Sequence, residues 1–418
     1  MRPEVVAGRP GVGVVPWVDL GDLGLDAGGH LLVDRALGGV AAGECLVVRG
    51  TDPNLGLHLR AWVRHRGHRL DGVGGGGATE GDGVDRAIRV VRGSAAADRW
   101  RAAQRAGDPR TGMVEDRASP SWGLAARGAV VEDGGPDLAI ADLSDKSAIW
   151  SDLAPRLYAQ AAAGQWDPAT AIDWQAPIDH PDDVEDAVVQ VMTYLVENEQ
   201  AALLVPARFL GRIHPHYREA LQFLAIQVAD EARHIEVFTR RALLRRDALG
   251  RSGAGGRASL QTLLEEPEFA VASFLLSVLG EGTFLHLLSF LERHGPDPVT
   301  RRVCHLALVD ESRHVAFGLA HLQEQLAAEP ALRSHLATAV ERRHDVLAST
   351  AGLDRAVSDA LVVLAAGSWA PTAVAAGFAA VQALQQEMDE GRQRRLVRLG
   401  FSASEAAELS ALHTRNFM

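Results

Sequence analysis

Two five-residue motifs in the sequence are nearly identical, and they begin eighty positions apart. They read Asp230-Glu231-Ala232-Arg233-His234 and Asp310-Glu311-Ser312-Arg313-His314. Three positions of a helix turn the chain by about 300°, so the Glu and the His of each motif project from one helix face. Carboxylate and imidazole donors from two helices suit iron or manganese better than an all-thiolate zinc site. The repeat therefore predicts one metal site that is built in two halves.

Two further carboxylates complete the predicted ligand set. Glu281 interrupts an apolar stripe on a later helix, where a lone carboxylate is costly unless it is paired or binds a metal. On an earlier helix, Glu197 and Glu199 point to nearly opposite faces because two residues turn the helix by about 200°. Glu199 falls on the apolar face with Val188, and Glu197 does not. The predicted catalytic and metal-binding residues are Glu199, Glu231, His234, Glu281, Glu311 and His314.

The charged neighbours of these ligands have a predicted role of their own. A metal-bound imidazole normally donates its other N–H to a carboxylate, and Asp230 and Asp310 are placed to accept it. Each could serve the histidine of its own motif or that of the facing helix. Arg233 and Arg313 can neutralise the aspartates at i+3, and we expect Gln227 inside the site. The alternative is that both motifs are ordinary solvated charge on helix surfaces.

The helices that must position these residues begin after Pro181. Periodicity predicts three at about 183–210, 216–247 and 267–294, and a fourth that ends at about 328. Pro206 is expected to kink the first helix or end it early, and the Gly/Ser/Arg-rich residues 250–259 are expected to form a long link. Short, long and short connections predict a four-helix bundle with one crossover. Further helices are predicted at about 332–350, 354–366, 371–389 and 403–412.

The first 180 residues have a different character. Apolar runs at Val14–Val18 and Cys45–Val48 predict strands, whereas Leu31–Leu37 and Leu55–Val63 have helical spacing. The Gly-rich residues 71–84 predict a flexible loop. We therefore predict a small α/β domain over residues 1–95. A connector that packs on the bundle would follow over 96–180, and a helical domain over 181–418.

Composition excludes some classes of partner. The 418 residues carry a net charge of -12 without a basic, aromatic-rich patch, so no nucleic acid is expected to bind. Cys45 and Cys304 are the only cysteines, and the first residues lack a signal-like apolar run, so we expect a cytoplasmic protein. Residues 361–386 carry no charge, but Gly367–Pro371 interrupt them. Two short buried helices are expected there rather than a membrane span.

The order Glu199, Glu231-x-x-His234, Glu281, Glu311-x-x-His314 resembles that of the ferritin-like diiron carboxylate superfamily, over about residues 182–328. The Asp-Glu-x-Arg-His form is most similar to the hydroxylase subunits of bacterial multicomponent monooxygenases. Aromatic-amine N-oxygenases of the same superfamily are also similar, but Ala307 occupies the position of their extra histidine. The resemblance implies a mainly α fold. A ferritin-like four-helix bundle with additional helices would follow a small α/β domain.

The resemblance also implies a function, namely that of an O2-activating nonhaem diiron monooxygenase or oxidase. Its cofactor would be two Fe ions, or an Fe/Mn pair, with O2 as cosubstrate. A small organic substrate would undergo hydroxylation, N-oxygenation or oxidative rearrangement, with electrons from an external donor or from the substrate. We expect a homodimer without a membrane partner. The substrate pocket is expected to include Ala202, Leu203, Phe238, Phe274 and Leu285. The alternatives are a ferroxidase or ferritin-like iron-handling protein, and a scaffold in which the metal is structural.

Part of the N-terminal region resembles the small sulfur-carrier proteins of the TusA family. The similarity lies in Gly43-Glu44-Cys45-Leu46-Val47-Val48, in Asp52-Pro53 and in Trp62-Val63-Arg64-His65-Arg66-Gly67-His68. The catalytic cysteine of that family, in a Cys-Pro-x-Pro motif, has no counterpart around Leu25-Asp26-Ala27-Gly28. The resemblance therefore implies a domain that docks a partner rather than one that relays a persulfide.

Overall fold

Helices make up most of the chain, which we describe from a computed structural model over residues 15–71, 86–94, 100–348 and 355–414. The chain divides into two units. The N-terminal unit comprises Met1–Arg105 and Val130–Gly135, and the helical unit comprises Ala106–Ala129 and Pro136–Met418. The predicted fold class, mainly α with a small α/β region at the start, is confirmed. The predicted domain boundaries at residues 95 and 180 remain predictions.

A mixed four-stranded sheet organises the N-terminal unit, with the strand order β1, β2, β4, β3. The strands are β1 (Trp17–Asp19), β2 (Cys45–Gly50), β3 (Arg69–Leu70) and β4 (Arg86–Val91). β1 lies parallel to β2, and the other two pairs are antiparallel. Successive side chains of a strand face opposite sides, so Leu46 and Val48 of β2 are both buried.

Two helices cover this sheet, α1 (Gly29–Gly38) and α2 (Leu55–His65). Their apolar faces share one core with the strands and contribute Val33, Leu37, Leu55, Leu59 and Val63. The predicted strand at Cys45 and both predicted helices are thereby confirmed. Val14 and residues 72–84 of the predicted loop lie outside the described residues. A second, two-stranded pair joins β5 (Gln104–Arg105) to β6 (Val130–Val131).

The helical unit consists of a central bundle and helices packed around it. The four central helices are α5 (Asp182–Leu210), α6 (Arg218–Ala242), α8 (Phe269–His294) and α9 (Pro298–Ala328). The others are α3 (Lys146–Ile149), α4 (Ala154–Ala163), α7 (Ala254–Leu264), α10 (Leu332–Ala348), α11 (Arg355–Ala366), α12 (Pro371–Arg398) and α13 (Ala403–Thr414). The connections between the central helices are short, long and short, as predicted for a bundle with one crossover.

A buried ionic cluster ties three of the central helices together at their ends. The Arg241 guanidinium of α6 donates to Glu185 of α5 at 2.7 Å and to Asp297, the residue before α9, at 2.7 Å. Its Nε donates to the Thr300 hydroxyl at 2.7 Å, and Asp297 caps α9 by accepting from the Thr300 N–H. Buried charges are tolerated only when they are paired and hydrogen-bonded in this way.

Two predictions about the helices were wrong in part. Residues 254–259 of the predicted link belong to helix α7, because Ser259 and Leu263 are buried against the bundle and compensate for the low helix propensity of glycine. Of the two effects predicted for Pro206, an early end is excluded because α5 continues to Leu210 as predicted, and a kink stays a prediction. Gly367–Pro371 do separate two helices, but the second is long, and Phe378 on it is exposed.

One helix among the described residues, Phe269–His294, is long and apolar enough to cross a membrane, and 83% of its most apolar window is buried inside the protein. The pair α11 and α12 also passes that test when taken together, with a bend of 119° between them. An apolar helix that other helices surround is typical of a protein core.

Candidate metal centre

The four central helices bring all six predicted ligands together inside the bundle. Two groups of side chains have ligand atoms within 4.8 Å of one another. The first group is Glu199, Glu231, His234 and Glu311, and the second is Glu231, Glu281, Glu311 and His314. Every one of these residues is buried. Because Glu231 and Glu311 belong to both groups, the arrangement fits two metal ions with two shared carboxylates.

The Nδ1 atom of each histidine faces the carboxylates. His234 Nδ1 lies 3.3 Å from Glu199 Oε2, 3.3 Å from Glu231 Oε2 and 3.4 Å from Glu311 Oε1. His314 Nδ1 lies 3.0 Å from Glu231 Oε1 and 3.3 Å from Glu311 Oε2. Each imidazole thus presents the same nitrogen to the centre of the cluster.

The Nε2 atoms are held by the aspartates of the opposite motif. His234 Nε2 lies 3.2 Å from Asp310 Oδ2, and His314 Nε2 lies 3.3 Å from Asp230 Oδ2. Of the two arrangements left open by the sequence, the structure has the one in which each aspartate serves the facing helix. A neutral imidazole that donates its Nε2–H to a carboxylate keeps a lone pair at Nδ1, which is the form that a metal ligand requires.

The arginines of the two motifs and two residues outside the bundle complete this outer layer. Arg233 donates to Asp230 and, at 2.9 Å, to Asp310, and Arg313 donates to Asp310. The Gln165 amide donates to Asp230 at 2.8 Å, and the Trp166 indole N–H donates to Asp310 at 2.8 Å. Gln165 and Trp166 lie in the segment between α4 and α5, and the sequence contained no signal that singled them out from the other tryptophans and glutamines.

The donor set fits metal ions, and unpaired oxygen atoms show it. Glu199 Oε1, both Glu231 oxygens and Glu281 Oε2 are buried without a hydrogen-bond partner. Buried carboxylate oxygens are costly unless a hydrogen-bond donor or a cation compensates them. In a neutral imidazole whose Nε2–H is donated to an aspartate, Nδ1 carries no proton and cannot donate to these oxygens. Cations between the carboxylates and the imidazoles would satisfy both kinds of atom, and mixed oxygen and nitrogen donors suit iron and manganese.

The pKa directions reflect the same excess of negative charge. Burial and the neighbouring Glu231 carboxylate raise the pKa of Glu199 well above its usual value. Burial and Glu311 do the same to the pKa of Glu281. Burial opposes the protonated imidazoles, but Glu199 raises the pKa of His234 well above its usual value, and Glu231 and Glu311 do so for His314. A pocket that draws protons onto its side chains is one that attracts cations.

Glu281 stands at the end of a π-helical segment, residues 274–281, inside α8. The N–H of the next residue, Gly282, reaches the carbonyl oxygen of Ser277, five residues earlier. The Gln227 amide donates to Glu281 Oε1 at 3.0 Å, which places Gln227 inside the site as predicted. The π segment was not predicted, because an apolar stripe with a spacing of three and four residues indicates an ordinary α-helix.

A small cavity adjoins the cluster. Its lining includes the carboxylate residues Glu199, Glu281 and Glu311 and the polar Asn198. The remaining lining residues are Ala202, Leu260, Leu263, Leu276, Gly280 and Phe284. Of the five pocket residues predicted from the sequence, only Ala202 lines this cavity. Leu260 and Leu263 were missed because they belong to α7, a helix that was not predicted.

Other histidines and the buried cysteine lie away from the cluster. His305 is bonded to Glu292 at 2.9 Å, and His321 Nδ1 lies 2.9 Å from the Trp150 carbonyl oxygen. Cys304 is buried in the apolar core, where burial raises the pKa of its thiol. Ala307 is fully buried. None of these residues belongs to either ligand group.

No protein-family model and no curated protein matches the chain. Among solved structures, it is similar to two variants of an R2-like ligand-binding oxidase with an aerobically reconstituted Mn/Fe cofactor. They superpose with TM-scores of 0.45 and 0.47 at 19% and 18% identity, over 60% of this chain and 96% and 95% of theirs. A variant with an Fe/Fe cofactor has a TM-score of 0.45 at 18% identity, over 60% of this chain and 95% of its own.

Proposed function

We propose that this protein is an O2-activating nonhaem dimetal oxidoreductase, with an Fe/Fe or Mn/Fe pair, that acts on a small organic substrate. One observation carries the proposal. Two buried ligand groups share Glu231 and Glu311, and each group adds a histidine and one further glutamate. These residues would hold two metal ions side by side, and such a pair would supply the electron transfer that O2 activation needs.

The residues of the site have different roles. When bound, the metal pair supplies the electron transfer to O2 that amino-acid side chains cannot provide. Glu199 and Glu281 would each hold one of the two metals, and each has a buried oxygen atom without a hydrogen-bond partner that would be available to that metal. Asp230 and Asp310 keep a proton on Nε2 of the two histidines and so keep Nδ1 available.

The cavity beside the ligands supports an apolar substrate. Leu260, Leu263, Leu276 and Phe284 line it, together with Ala202. Its volume of about 20 Å³ is room for about one water molecule, so a substrate would bind as the lining side chains move apart. Apolar walls exclude water from the reacting atoms and favour a compact, uncharged substrate. The reaction with O2 also needs electrons, so the proposal includes an external electron donor. It also includes a docking partner for the N-terminal unit and a homodimer as the functional form.

The proposal is tested by loading the protein with Fe(II) without oxygen and then admitting O2. We expect two iron ions per chain and a rapid optical change that Mössbauer spectroscopy assigns to coupled ferric ions. Glu231→Ala should abolish the binding of both ions because Glu231 belongs to both ligand groups. Glu236→Ala is the matched control, since it removes an exposed carboxylate from the same helix.

Three outcomes would contradict the proposal. A Glu231→Ala protein that still binds two iron ions per chain would show that Glu231 is not the shared ligand. Iron uptake far beyond two ions per chain, with O2 consumed in proportion to iron, would instead favour an iron-handling protein. Metal-bound wild-type protein that never reacts with O2 would favour a structural role for the metal.

A further inference from the structure

The π-helical segment that carries Glu281 is held from outside the bundle. A π-helix is wider than an α-helix and occurs as a short, costly insertion, often at a functional site. Helix α12 lies against this segment and directs Arg395 toward it. The Arg395 Nε donates to the Val278 carbonyl oxygen at 2.6 Å, in the last turn before Glu281. A side chain of α12 therefore bonds directly to the backbone that presents this carboxylate.

Arg395 lies so close to the backbone at position 282 that only a glycine fits there. A Cβ atom at Gly282 would lie 2.4 Å from Arg395 Nε and 2.6 Å from its Cζ. The guanidinium therefore rests on the backbone of the residue that directly follows Glu281. One turn earlier on α12, Arg392 donates to the Thr283 hydroxyl at 3.3 Å, and that hydroxyl donates to the Leu279 carbonyl oxygen at 2.6 Å. Two successive carbonyl oxygens of the π segment thus receive side-chain donors.

The burial of Arg395 is expensive. Only 7% of the residue is exposed, and its Nη2 has no hydrogen-bond partner among the described residues. Burial, together with the nearby charge of Arg392, lowers the pKa of Arg395 to about 9. An apolar side chain would fill this position at less cost, since a buried charge without a carboxylate partner is destabilising. The hydrogen bond from Arg395 Nε to the Val278 carbonyl oxygen of the π segment offsets part of this cost.

We propose that Arg395 is a positioning residue that holds the π segment in place and thereby sets the geometry of Glu281. The inference rests on the proposed function, since it takes Glu281 to be a metal ligand. This role should affect only one of the two metal positions. Glu281 belongs to the ligand group with His314 and not to the group with His234. Loss of the Arg395 contact should therefore weaken one metal position and spare the other.

The test measures Mn(II) binding to full-length variants. Arg395→Met keeps the length of the side chain but removes the donor, and Arg395→Lys keeps a donor. The matched control is Arg343→Met, which removes another buried arginine, one that bonds Thr262 and Ser259 of α7. Metals per chain and the two dissociation constants are measured by chelator competition, and the coupling between two Mn(II) ions by electron paramagnetic resonance.

We expect two Mn(II) per chain in the wild-type protein and in Arg343→Met. In Arg395→Met one site should keep its affinity, and the other should weaken about 10- to 100-fold, the range for outer partners of metal ligands. The signal of the coupled pair should give way to that of a single ion, and Arg395→Lys should restore part of the pair. A purely structural role would lower the melting temperature without this split.

Other results would overturn the inference. Equal weakening of both sites in Arg395→Met, or no change in either, would refute the positioning role. If that variant does not fold, Gly282→Ala provides the second test, because the added Cβ would displace the guanidinium and should weaken the same single site. If the wild-type protein does not bind two Mn(II), the proposed function fails first. If it does and both variants bind like wild type, only the role of Arg395 fails.

Discussion

The substitution Trp166→Phe tests whether the segment before α5 belongs to the metal centre. It removes one indole N–H, which donates to Asp310 at 2.8 Å, and keeps an aromatic ring beside Arg233, which lies 4.6 Å from the ring centre. A hydrogen bond to a charged acceptor contributes about 1.5–3 kcal/mol. For a unit of about 300 residues such as the helical unit, each kcal/mol shifts the melting temperature by about 1.5–2 °C. We therefore expect a loss of about 2–6 °C, together with weaker metal binding because Asp310 orients His234.

Trp174→Phe is a control from the same segment. Its indole N–H also donates at 2.8 Å, but to the neutral carbonyl oxygen of Pro168, and its ring also lies beside an arginine, Arg240, at 4.0 Å. A hydrogen bond between neutral groups contributes about 0.5–1.5 kcal/mol, so this variant should lose less stability. It should not change metal binding, because no bond connects Trp174 to an aspartate of the cluster.

The two variants are compared by calorimetry and by Mn(II) competition with a chelator. We expect Trp166→Phe to weaken Mn(II) binding by about tenfold, the lower end of the range for outer partners of metal ligands. Equal Mn(II) affinities for the two variants would refute the view that Trp166 acts through Asp310. Equal losses of melting temperature would refute the assumption that the charge of the acceptor makes the difference.

Two further substitutions address the cavity and the pH dependence of stability. Toluene should raise the melting temperature of the wild-type protein by opening the small cavity beside the ligands, and Ala202→Phe should abolish this effect while two metal ions still bind; retained toluene binding would contradict the proposed pocket. Burial lowers the pKa of His321 to about 4, against about 6.5 in the unfolded chain, so the unfolded state binds more protons between these values. Stability should therefore fall as the pH drops from about 6.5 to 4, with about 2 kcal/mol lost at pH 5 from this residue. His321→Phe should reduce the difference in urea-unfolding free energy between pH 7.5 and pH 5 by that amount, and an unchanged difference would contradict the assignment.

The sequence was most informative about site residues whose placement depends only on nearby positions in the same helix. The spacing of Glu231 and His234 places both on one helix face whatever surrounds the helix, and the same holds for Glu311 and His314. The choice of Glu199 over its neighbour two residues away followed from the same geometry. The structure brings these side chains together, and their role as ligands remains a prediction for the metal-binding experiments.

Features that depend on tertiary packing could not be predicted in this way. Helix α7 forms despite its glycines because the bundle covers one of its faces, and its low intrinsic propensity concealed it. The π segment before Glu281 is supported by Arg395, more than a hundred positions later in the chain. Trp166 reaches Asp310 across 144 positions. No local pattern records such partners, since each is determined by the packing of elements distant in sequence.

The crossed pairing of the aspartates explains why the two motifs are so similar. Asp230 serves the histidine of the second motif, and Asp310 serves the histidine of the first. Each aspartate holds the imidazole of the facing helix, so each motif supplies the outer partner of the other. Arg233 reinforces the exchange by donating to both aspartates. A change at the aspartate of one motif would therefore disturb the histidine of the other, and the two halves of the centre must assemble together when α6 and α9 pack.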